Sequence, residues 1–217
     1  MFDFGTALNL KRTIATILNF ASREQMLDMA TKFIFHNEIS GVYLEFGTGP
    51  SIKNAHYYAQ RNHLQNIKFY VFDSFEGLPE PKDKSMSKFK KGNFKTELEK
   101  FRHSIRKLKN VETIEGWYSS TLNAKTKKTR GISKASIVHI DCDIYESTVK
   151  VLDFITDLLQ QGTVLIFDDW FCYKGNPSKG EQRAVNEWLK KHPEITLMDF
   201  YTFGWNVKSF IVCLRSG

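Results

Sequence analysis

Two short apolar segments that each end in acidic residues constrain this chain more than any other feature. Residues 137–143 read Ile-Val-His-Ile-Asp-Cys-Asp, and residues 164–169 read Val-Leu-Ile-Phe-Asp-Asp. Short runs rich in β-branched residues are typical of strands buried on both faces of a parallel sheet. Ligands of an open α/β sheet bind outside the carboxyl ends of its strands. We therefore expect the acids of both segments to lie around one binding site.

Four carboxylates in a small volume repel each other unless a cation neutralises them or their pKa values rise. A divalent metal with oxygen ligands is the simplest solution. The ordinary alternatives are that Asp141 and Asp143 are a helix N-cap and a solvated residue before Tyr145, and that Asp168 and Asp169 are turn residues. A buried strand that ends in two acids favours the binding site over the turn.

The remaining sequence alternates strand-like and helix-like segments, which predicts βαβ units and a mostly parallel sheet. Apolar runs predict strands at 42–46, 68–73, 110–115, 135–141 and 163–168, and helices are predicted after Pro50 and at 94–108, 145–160 and 180–192. The alternating tail, at 195–201 and 207–214, predicts an antiparallel hairpin at one edge of the sheet. Residues 8–36 have helical spacing, whereas residues 74–93 have no periodicity and indicate a long loop.

The composition fits one globular domain without a membrane span. The 217 residues are enough for one substantial core, and 41% of them are hydrophobic and 25% are charged. No apolar run approaches the roughly 20 residues that a membrane-spanning helix needs. We predict a single domain over residues 1–217, in which a helical extension, 1–38, precedes a catalytic core at 40–213.

The cysteines and the N-terminal residues predict a cytoplasmic protein. Cys142, Cys172 and Cys213 are odd in number and have no CxxC spacing, so neither a disulfide framework nor a zinc site is expected. The first residues, Met1–Gly5, lack the basic and long apolar regions of a secretory signal.

The net charge of +7 suggests nucleic acid as one class of partner. The basic residues, however, are spread over 82–109 and 125–130 and accompany no recognised nucleic-acid motif. We therefore do not expect nucleic acid as the main partner. The remaining explanations are a solvated face and the electrostatic attraction of an anionic substrate.

A glycine-containing turn after the first predicted strand indicates a second binding element. The segment from Glu45 to Ser51 places Gly47 and Gly49 where a ligand can approach the backbone near a helix N-terminus. The third glycine of a dinucleotide fingerprint is missing, and the Glu45 carboxylate suits a ligand amino group better than a pyrophosphate. Asp73, which ends the second strand, can accept hydrogen bonds from ribose hydroxyls. Together, these residues predict a pocket for a cationic, ribose-bearing cofactor. The alternative is that they form only a tight turn and a helix cap.

These motifs resemble class I S-adenosylmethionine-dependent methyltransferases, most closely the macrocin O-methyltransferase family of sugar-methylating enzymes. The similar motifs are Val-Tyr-Leu-Glu-Phe-Gly-Thr-Gly-Pro-Ser at 42–51, Phe-Asp-Ser-Phe-Glu-Gly-Leu-Pro-Glu at 72–80, Glu-Gly-Trp-Tyr-Ser-Ser-Thr-Leu at 115–122, His-Ile-Asp-Cys-Asp-Ile-Tyr-Glu-Ser-Thr at 139–148 and Phe-Asp-Asp-Trp at 167–170. The resemblance covers roughly residues 40–213. It implies a Rossmann-like α/β fold with a mostly parallel seven-stranded sheet, an antiparallel C-terminal hairpin and helices on both faces.

The resemblance also implies roles for individual residues. S-adenosylmethionine would contact Glu45, Gly47, Thr48, Gly49 and Ser51 with its methionine part, Asp73, Ser74 and Phe75 with its ribose, and Gly116 and Trp117 with its adenine. A magnesium ion, or another divalent cation, would be bound by Asp141, Asp168 and Asp169. Asp143, two residues after Asp141, would be the general base. His139 is the alternative base, although a histidine inside an apolar strand is more often part of the core.

The implied reaction is methylation of a hydroxyl on a sugar or on a glycosylated or nucleotide-linked small molecule. Two other functions stay open, a nicotinamide-dependent oxidoreductase on a related fold and a non-enzymatic protein that binds nucleic acid with its basic surface. The acceptor is also open, and residues 74–93 and 170–181 would shape its pocket. Trp170, Phe171 and Tyr173 could either stack on a sugar ring or pack in the core. The N-terminal extension could cover the cofactor or mediate a homodimer.

Overall fold

The strands predicted from apolar runs form one sheet whose order opens a crevice near its middle. The computed structural model describes residues 24–215, and the sheet within them has seven strands. They are β1 (Val42–Phe46), β2 (Phe69–Asp73), β3 (Val111–Glu115), β4 (Ala135–Ile140), β5 (Val164–Phe167), β6 (Ile195–Phe203) and β7 (Val207–Leu214), in the order β3-β2-β1-β4-β5-β7-β6. The chain extends from β1 to β3 on one side and places β4 and β5 on the other. The carboxyl ends of β1 and β4 therefore flank the crevice where ligands bind in such sheets.

The directions of the strands confirm the predicted mixed sheet. The first five strands pair in parallel, and β7 and β6 add an antiparallel hairpin beside β5. Every residue of β4 and β5 is buried. Burial on both faces explains why these two strands are almost continuous apolar runs in the sequence. Because β4 and β5 are neighbours, the acids that follow them emerge side by side.

Helices cover both faces of the sheet. They are α1 (24–36), α2 (Ser51–Arg61), α3 (Leu98–Ile105), α4 (Tyr118–Thr121), α5 (Ala124–Arg130), α6 (Tyr145–Ile155) and α7 (Gly180–Lys191). On one face, Met26 of α1, Ile52 of α2 and Phe101 of α3 belong to one buried cluster. On the other face, Leu152 of α6 and Trp188 of α7 belong to a second cluster. None of the helices described between residues 24 and 215 has the length and hydrophobicity needed to cross a membrane.

The structure differs from the sequence-based prediction in its shorter helices. Residues 94–108 yield only the shorter helix α3, and α4 and α5 were not predicted. The sequence of α5 is Ala-Lys-Thr-Lys-Lys-Thr-Arg, which has no apolar periodicity. This helix is defined by its ends instead, since Asn123 Oδ1 accepts a hydrogen bond from Thr126 N (3.0 Å) and Gly131 has a left-handed φ of +65°. Residues 74–93 form the expected long loop. Of the helical segment predicted at 8–36, residues 24–36 form α1, and residues 8–23 lie outside the described residues.

Candidate active site

The carboxyl ends of the parallel strands surround a main cavity of about 810 Å³. The predicted cofactor residues that line it are Gly47, Thr48, Gly49, Asp73, Ser74 and Trp117, and the acids that line it include Asp141, Asp143, Asp168 and Asp169. One cavity therefore joins the two binding elements that the sequence indicated separately. A second cavity of about 240 Å³ shares Asp141 and Asp168 with the main cavity and is also lined by Ser51 and His139.

Gly47 is the residue that lets β1 and β4 approach each other at the site. Its φ is +96°, and a Cβ placed on it would lie 1.9 Å from the carbonyl oxygen of Asp141. The backbone is held there because Gly47 N donates to Phe72 O (2.9 Å) and Asp141 N donates to Phe46 O (2.9 Å). No side chain fits at this position, so the turn after β1 requires glycine. Gly49 has more room, since its Cβ would meet Ser51 Oγ at 3.6 Å.

Asp73 links the end of β2 to the glycine turn. Its Oδ2 accepts a hydrogen bond from Thr48 Oγ1 (2.6 Å), and its Oδ1 accepts one from Phe75 N (2.7 Å). Phe75 adopts a left-handed φ of +58° and is buried. The neighbouring strand also contributes, because Gly116 N donates to Asp73 O (2.9 Å). The Asp73 carboxylate is thus held in a fixed position on the wall of the main cavity.

Glu45 lies outside the set of residues that line the main cavity. Its side chain is fully buried and accepts hydrogen bonds from Tyr43 OH (2.7 Å) and Ser51 Oγ (2.9 Å). His139 connects it to the other half of the site, with Nδ1 3.7 Å from Glu45 Oε2 and Nε2 3.8 Å from Asp168 Oδ1. Burial alone lowers the pKa of His139, but the two neighbouring carboxylates outweigh burial and raise it to about 10. His139 is therefore a buried link between Asp168 and Glu45.

Three acids form a compact group, which we name the carboxylate cluster: Asp141, Asp143 and Asp169. Each offers a ligand oxygen, and these oxygens all lie within 4.8 Å of one another. Asp143 has a left-handed φ of +64°, a conformation that non-glycine residues adopt mainly at functional sites and turns. Burial and the negative charges of Asp169 and Asp141 raise the pKa of Asp143 far above its ordinary value. Three convergent carboxylate oxygens are a donor set that suits a hard divalent cation.

The carboxylate cluster contains two of the three predicted metal ligands. The third, Asp168, borders both cavities, and its carboxylate is directed towards His139. The backbone of Asp168 is fixed by Asn206, whose Nδ2 donates to Asp168 O (2.6 Å). Asp143, which was predicted as the general base, is the third member of the carboxylate cluster, and the assignment of Asp168 as a metal ligand stays a prediction.

Two further titratable residues at the carboxylate cluster were not predicted. Glu181 of α7 is 1% exposed, and its Oε2 accepts a hydrogen bond from Asp169 N (3.1 Å), whereas its Oε1 has no hydrogen-bond partner among residues 24–215. Burial and the nearby acids raise the pKa of Glu181 well above its ordinary value. Lys88, from the loop 74–93, lies with Nζ 3.3 Å from Asp169 Oδ1 and 3.5 Å from Cys172 Sγ.

Aromatic residues complete the main cavity. Tyr118 and Trp205 both line it, and neither was assigned a role in the sequence analysis. Tyr118 lies beside Trp117 in one of the family-like motifs, so its sequence position was a usable signal. Trp205 comes from the turn between β6 and β7, which is 36 positions after Asp169 and carries no sequence signal of its proximity to the acids. Of the aromatic residues predicted as stacking candidates, Trp170 packs instead on Phe167 and Phe210, with ring centroids 5.1 and 4.8 Å apart.

The sheet order and the cavity at its crevice define a Rossmann-like α/β fold with a ligand site at the carboxyl ends of its strands. Solved structures of similar fold include the O-methyltransferase NovP, with a TM-score of 0.71 and 19% identity over 88% of this chain and 79% of that chain. The calicheamicin methyltransferase CalS11 has a TM-score of 0.71 and 17% identity over 87% of this chain and 77% of that chain. An O-methyltransferase from Bacillus cereus in complex with SAH has a TM-score of 0.58 and 14% identity over 100% of this chain and 92% of that chain.

The family follows from the sequence. The profile of the macrocin-O-methyltransferase (TylF) family matches residues 13–197. The chain belongs to this family and is an O-methyltransferase, which confirms the predicted family and excludes the oxidoreductase alternative. Comparison with curated protein sequences gives no match.

Proposed function

We propose that this enzyme transfers the methyl group of S-adenosylmethionine to a hydroxyl of a sugar-containing small molecule, and that a divalent cation takes part. The observation that carries the proposal is that one cavity joins the glycine turn and Asp73 to the carboxylate cluster. A cofactor on the first side and an acceptor on the second would meet inside this cavity. Holding the donor sulfur and acceptor oxygen in line at near-attack distance supplies much of the barrier reduction.

On the cofactor side, we assign the methionine part to the backbone of residues 47–49 and the ribose to Asp73. Each oxygen of the Asp73 carboxylate has two lone pairs, and Thr48 and Phe75 each use one of them. One lone pair on each oxygen therefore remains for the two ribose hydroxyls. Trp117 lines the same wall beyond Asp73 and is assigned to the adenine.

We assign four of the predicted cofactor residues to supporting this wall of the cavity and not to contacting the cofactor. They are Glu45, Ser51, Phe75 and Gly116. Glu45 fixes the helix start after the glycine turn through its hydrogen bond from Ser51. Phe75 donates its backbone N–H to Asp73, and Gly116 N donates to the Asp73 carbonyl. Each of these contacts holds a group that faces the cavity.

The carboxylate cluster fits a divalent cation. Its oxygens converge within 4.8 Å, and the nearby Glu181 Oε1 is a buried carboxyl oxygen without a hydrogen-bond partner in the described part of the chain. Asp141, Asp143 and Asp169 would hold the cation, with magnesium, manganese and calcium all compatible with oxygen ligands. A bound cation would lower the pKa of an acceptor hydroxyl and orient it.

The chain's own residues complete the reaction. The methyl group leaves the sulfonium sulfur and bonds to the acceptor oxygen, while the hydroxyl proton passes to a carboxylate. Asp143 is the residue we assign to accept this proton, because it lines the main cavity and a carboxylate has a second oxygen when the first faces a cation. His139 lines only the second cavity in the described structure and is assigned a positioning role between Glu45 and Asp168.

The acceptor is inferred from related structures and from charge. One structure of similar fold is described as CalS11, a TDP-rhamnose 3'-O-methyltransferase, with a TM-score of 0.60 and 15% identity. In this chain Lys88, Lys91 and Lys150 line the main cavity and would attract an anionic group. Together these observations support a nucleotide-linked sugar as the first acceptor to test. A cytoplasmic location, a homodimer and a single domain over residues 1–217 stay predictions.

Calorimetry with S-adenosylhomocysteine tests the cofactor assignment. Asp73→Ala should weaken binding by about 100-fold or more, because two hydrogen bonds to a charged acceptor are lost. Asp199→Ala is the matched control, since Asp199 is an acid of β6 outside both cavities and pairs with Lys208. Circular dichroism reports whether each variant is folded. Equal affinity in wild type and Asp73→Ala would contradict the assignment.

A further inference from the structure

The turn between β6 and β7 places a large aromatic ring over the active site. Trp205 is 66% exposed, more than any other large hydrophobic residue in the described part of the chain. The same residue lines both the main and the second cavity. Its indole therefore faces open space at the boundary of the two cavities and is not used to fill the core.

The backbone of this turn is fixed to the segment that carries the acids. Asn206 is buried, and its Nδ2 donates to Asp168 O (2.6 Å). In return, Phe171 N donates to Asn206 O (3.1 Å). These two hydrogen bonds hold the residue after Trp205 against the loop that follows β5. The exposed ring is thus presented from an anchored backbone.

Lys88 shows how close the ring lies to the carboxylate cluster. Its Nζ is 3.3 Å from Asp169 Oδ1 and 5.4 Å from the centroid of the Trp205 ring. A single ammonium group therefore spans the space between the indole and the acid. The indole and Asp169 therefore lie close enough for one sugar ring that displaces the Lys88 ammonium to contact the indole with its face while a hydroxyl at its edge reaches a carboxylate or its cation.

The other aromatic residues near the acids are occupied by packing. Trp170 packs on Phe210 (4.8 Å between ring centroids), and Tyr173 is buried against Phe89 (5.5 Å). Trp117 lines the main cavity on the side of β3 and Asp73, which is the side assigned to the cofactor. Phe94 also lines the main cavity and is exposed, but its ring lies 6.2 Å from that of Phe89. Among the described residues, Trp205 is the exposed aromatic residue that lines both cavities and lies beside Lys88 at the carboxylate cluster.

From this arrangement we infer that Trp205 is the platform on which the acceptor sugar stacks, and that it selects pyranoses with a continuous C–H face. The inference rests on the proposed function. The face of an aromatic ring carries partial negative charge, and it attracts the weakly positive C–H groups on the apolar face of a pyranose. Small-molecule sites are usually lined by apolar and aromatic side chains, together with a few polar groups that converge on the ligand. Stacking fixes the ring plane, so a hydroxyl at the ring edge is directed towards the carboxylate cluster.

The test compares Trp205→Ala and Trp205→Phe in methyl-transfer assays with S-adenosylmethionine and Mg²⁺. The acceptors are TDP-rhamnose, methyl α-L-rhamnopyranoside and methyl β-D-glucopyranoside. Trp205→Ala should raise the acceptor KM about tenfold, the size of one aromatic contact, whereas Trp205→Phe should stay within about threefold of wild type. The affinity for S-adenosylhomocysteine should change little, whereas kcat at saturating acceptor should fall in Trp205→Ala, because the bound hydroxyl is no longer held towards the carboxylate cluster. Met198→Ala is the matched control, because Met198 is an exposed residue of the same hairpin outside both cavities.

The outcomes separate the inference from the proposed function. An unchanged acceptor KM in Trp205→Ala would overturn the stacking role while leaving the methyltransferase assignment in place. The same conclusion would follow if Trp205→Phe were as impaired as Trp205→Ala, since a phenyl ring retains an aromatic face. If the wild-type enzyme binds S-adenosylhomocysteine and methylates none of the glycosides, the proposed sugar acceptor fails, and the inference fails with it.

Discussion

At the level of single residues, the site depends on a glycine that no other residue can replace. A Cβ at Gly47 would clash with the Asp141 carbonyl oxygen at 1.9 Å, and its φ of +96° disfavours any L side chain. Because Asp141 belongs to the carboxylate cluster, the same contact couples the cofactor side of the cavity to the acidic side. The spacing between these two sides is thus set by backbone contact rather than by side-chain packing.

We predict that Gly47→Ala destabilises the fold by about 1–3 kcal/mol, the cost of one strained backbone position, and weakens S-adenosylhomocysteine binding. Gly49→Ala is the matched control. Its added Cβ meets Ser51 Oγ at an ordinary 3.6 Å and φ is not left-handed, so its stability should stay close to wild type. Urea denaturation and calorimetry measure both effects. Equal stability of the two variants would show that the turn can relax around a side chain.

Substitutions of two acids distinguish the alternative metal ligands. The structure directs Asp143 into the carboxylate cluster and Asp168 towards His139. We therefore predict that Asp143→Asn lowers Mn²⁺ affinity at least about tenfold, whereas Asp168→Asn retains most of it. Titration of Mn²⁺ monitored by electron paramagnetic resonance measures the two affinities. The opposite ranking would restore the ligand set implied by the family resemblance, with Asp143 acting only as the base.

At the level of elements, the loop 74–93 is an anchored wall of the site. Its ends are joined because Leu78 N donates to Asn93 O (2.9 Å) and Gly92 N donates to Leu78 O (2.9 Å). Phe89 is buried and packs with Tyr173, which belongs to the segment after β5. The loop thereby brings Lys88 within 3.3 Å of Asp169, although 81 positions separate them in the sequence.

Lys88 and a divalent cation should compete for Asp169, because both are positive and use the same carboxylate. Burial lowers the pKa of Lys88, but the interactions with Asp169 and Cys172 outweigh burial, so the pKa is raised and the side chain carries its charge. We predict that Lys88→Met raises Mn²⁺ affinity roughly threefold or more, since Lys88 is partly exposed and its ion pair is partly screened.

The control for this prediction is Lys91→Met. Lys91 lies in the same loop and lines the same cavity, but within the described residues the ion pair to the carboxylate cluster is made by Lys88 and not by Lys91. Calorimetric titration with Mn²⁺ compares the three proteins. An equal gain in both variants would reflect the general charge of the loop, and no gain in Lys88→Met would show that the lysine and the cation occupy separate positions.

The same elements show which parts of the fold are visible in the sequence. The β4 and β5 runs were recognisable because burial on both faces requires continuous apolar residues, and their acids fell together because adjacent parallel strands end at one edge. Helix α5 was not recognisable, since its caps rather than an apolar face define it. Glu181, Lys88 and Trp205 reach the site through tertiary contacts, for which local sequence contains no signal.

At the level of the whole molecule, positive net charge and a concentrated acidic site coexist. The chain has a net charge of +7, while the edge formed by β4 and β5 gathers Asp141, Asp143, Asp168 and Asp169. Long-range attraction of an anionic acceptor and local binding of a cation are therefore compatible, because the first depends on the summed charge and the second on nearby oxygens. The lysines that line the main cavity place part of this positive charge close to the acids.

Removal of divalent cations should affect methyl transfer and cofactor binding differently. We predict that EDTA abolishes methyl transfer and that added Mg²⁺ restores it, because the carboxylate cluster alone is a group of mutually repelling acids that neither orients nor activates a hydroxyl. Binding of S-adenosylhomocysteine should persist in EDTA, since its proposed contacts lie on the turn after β1 and at Asp73. Methyl-transfer assays and calorimetry on the same protein preparation measure the two properties. Full turnover by the metal-free enzyme would refute the cation's role and leave proton acceptance to the carboxylates alone.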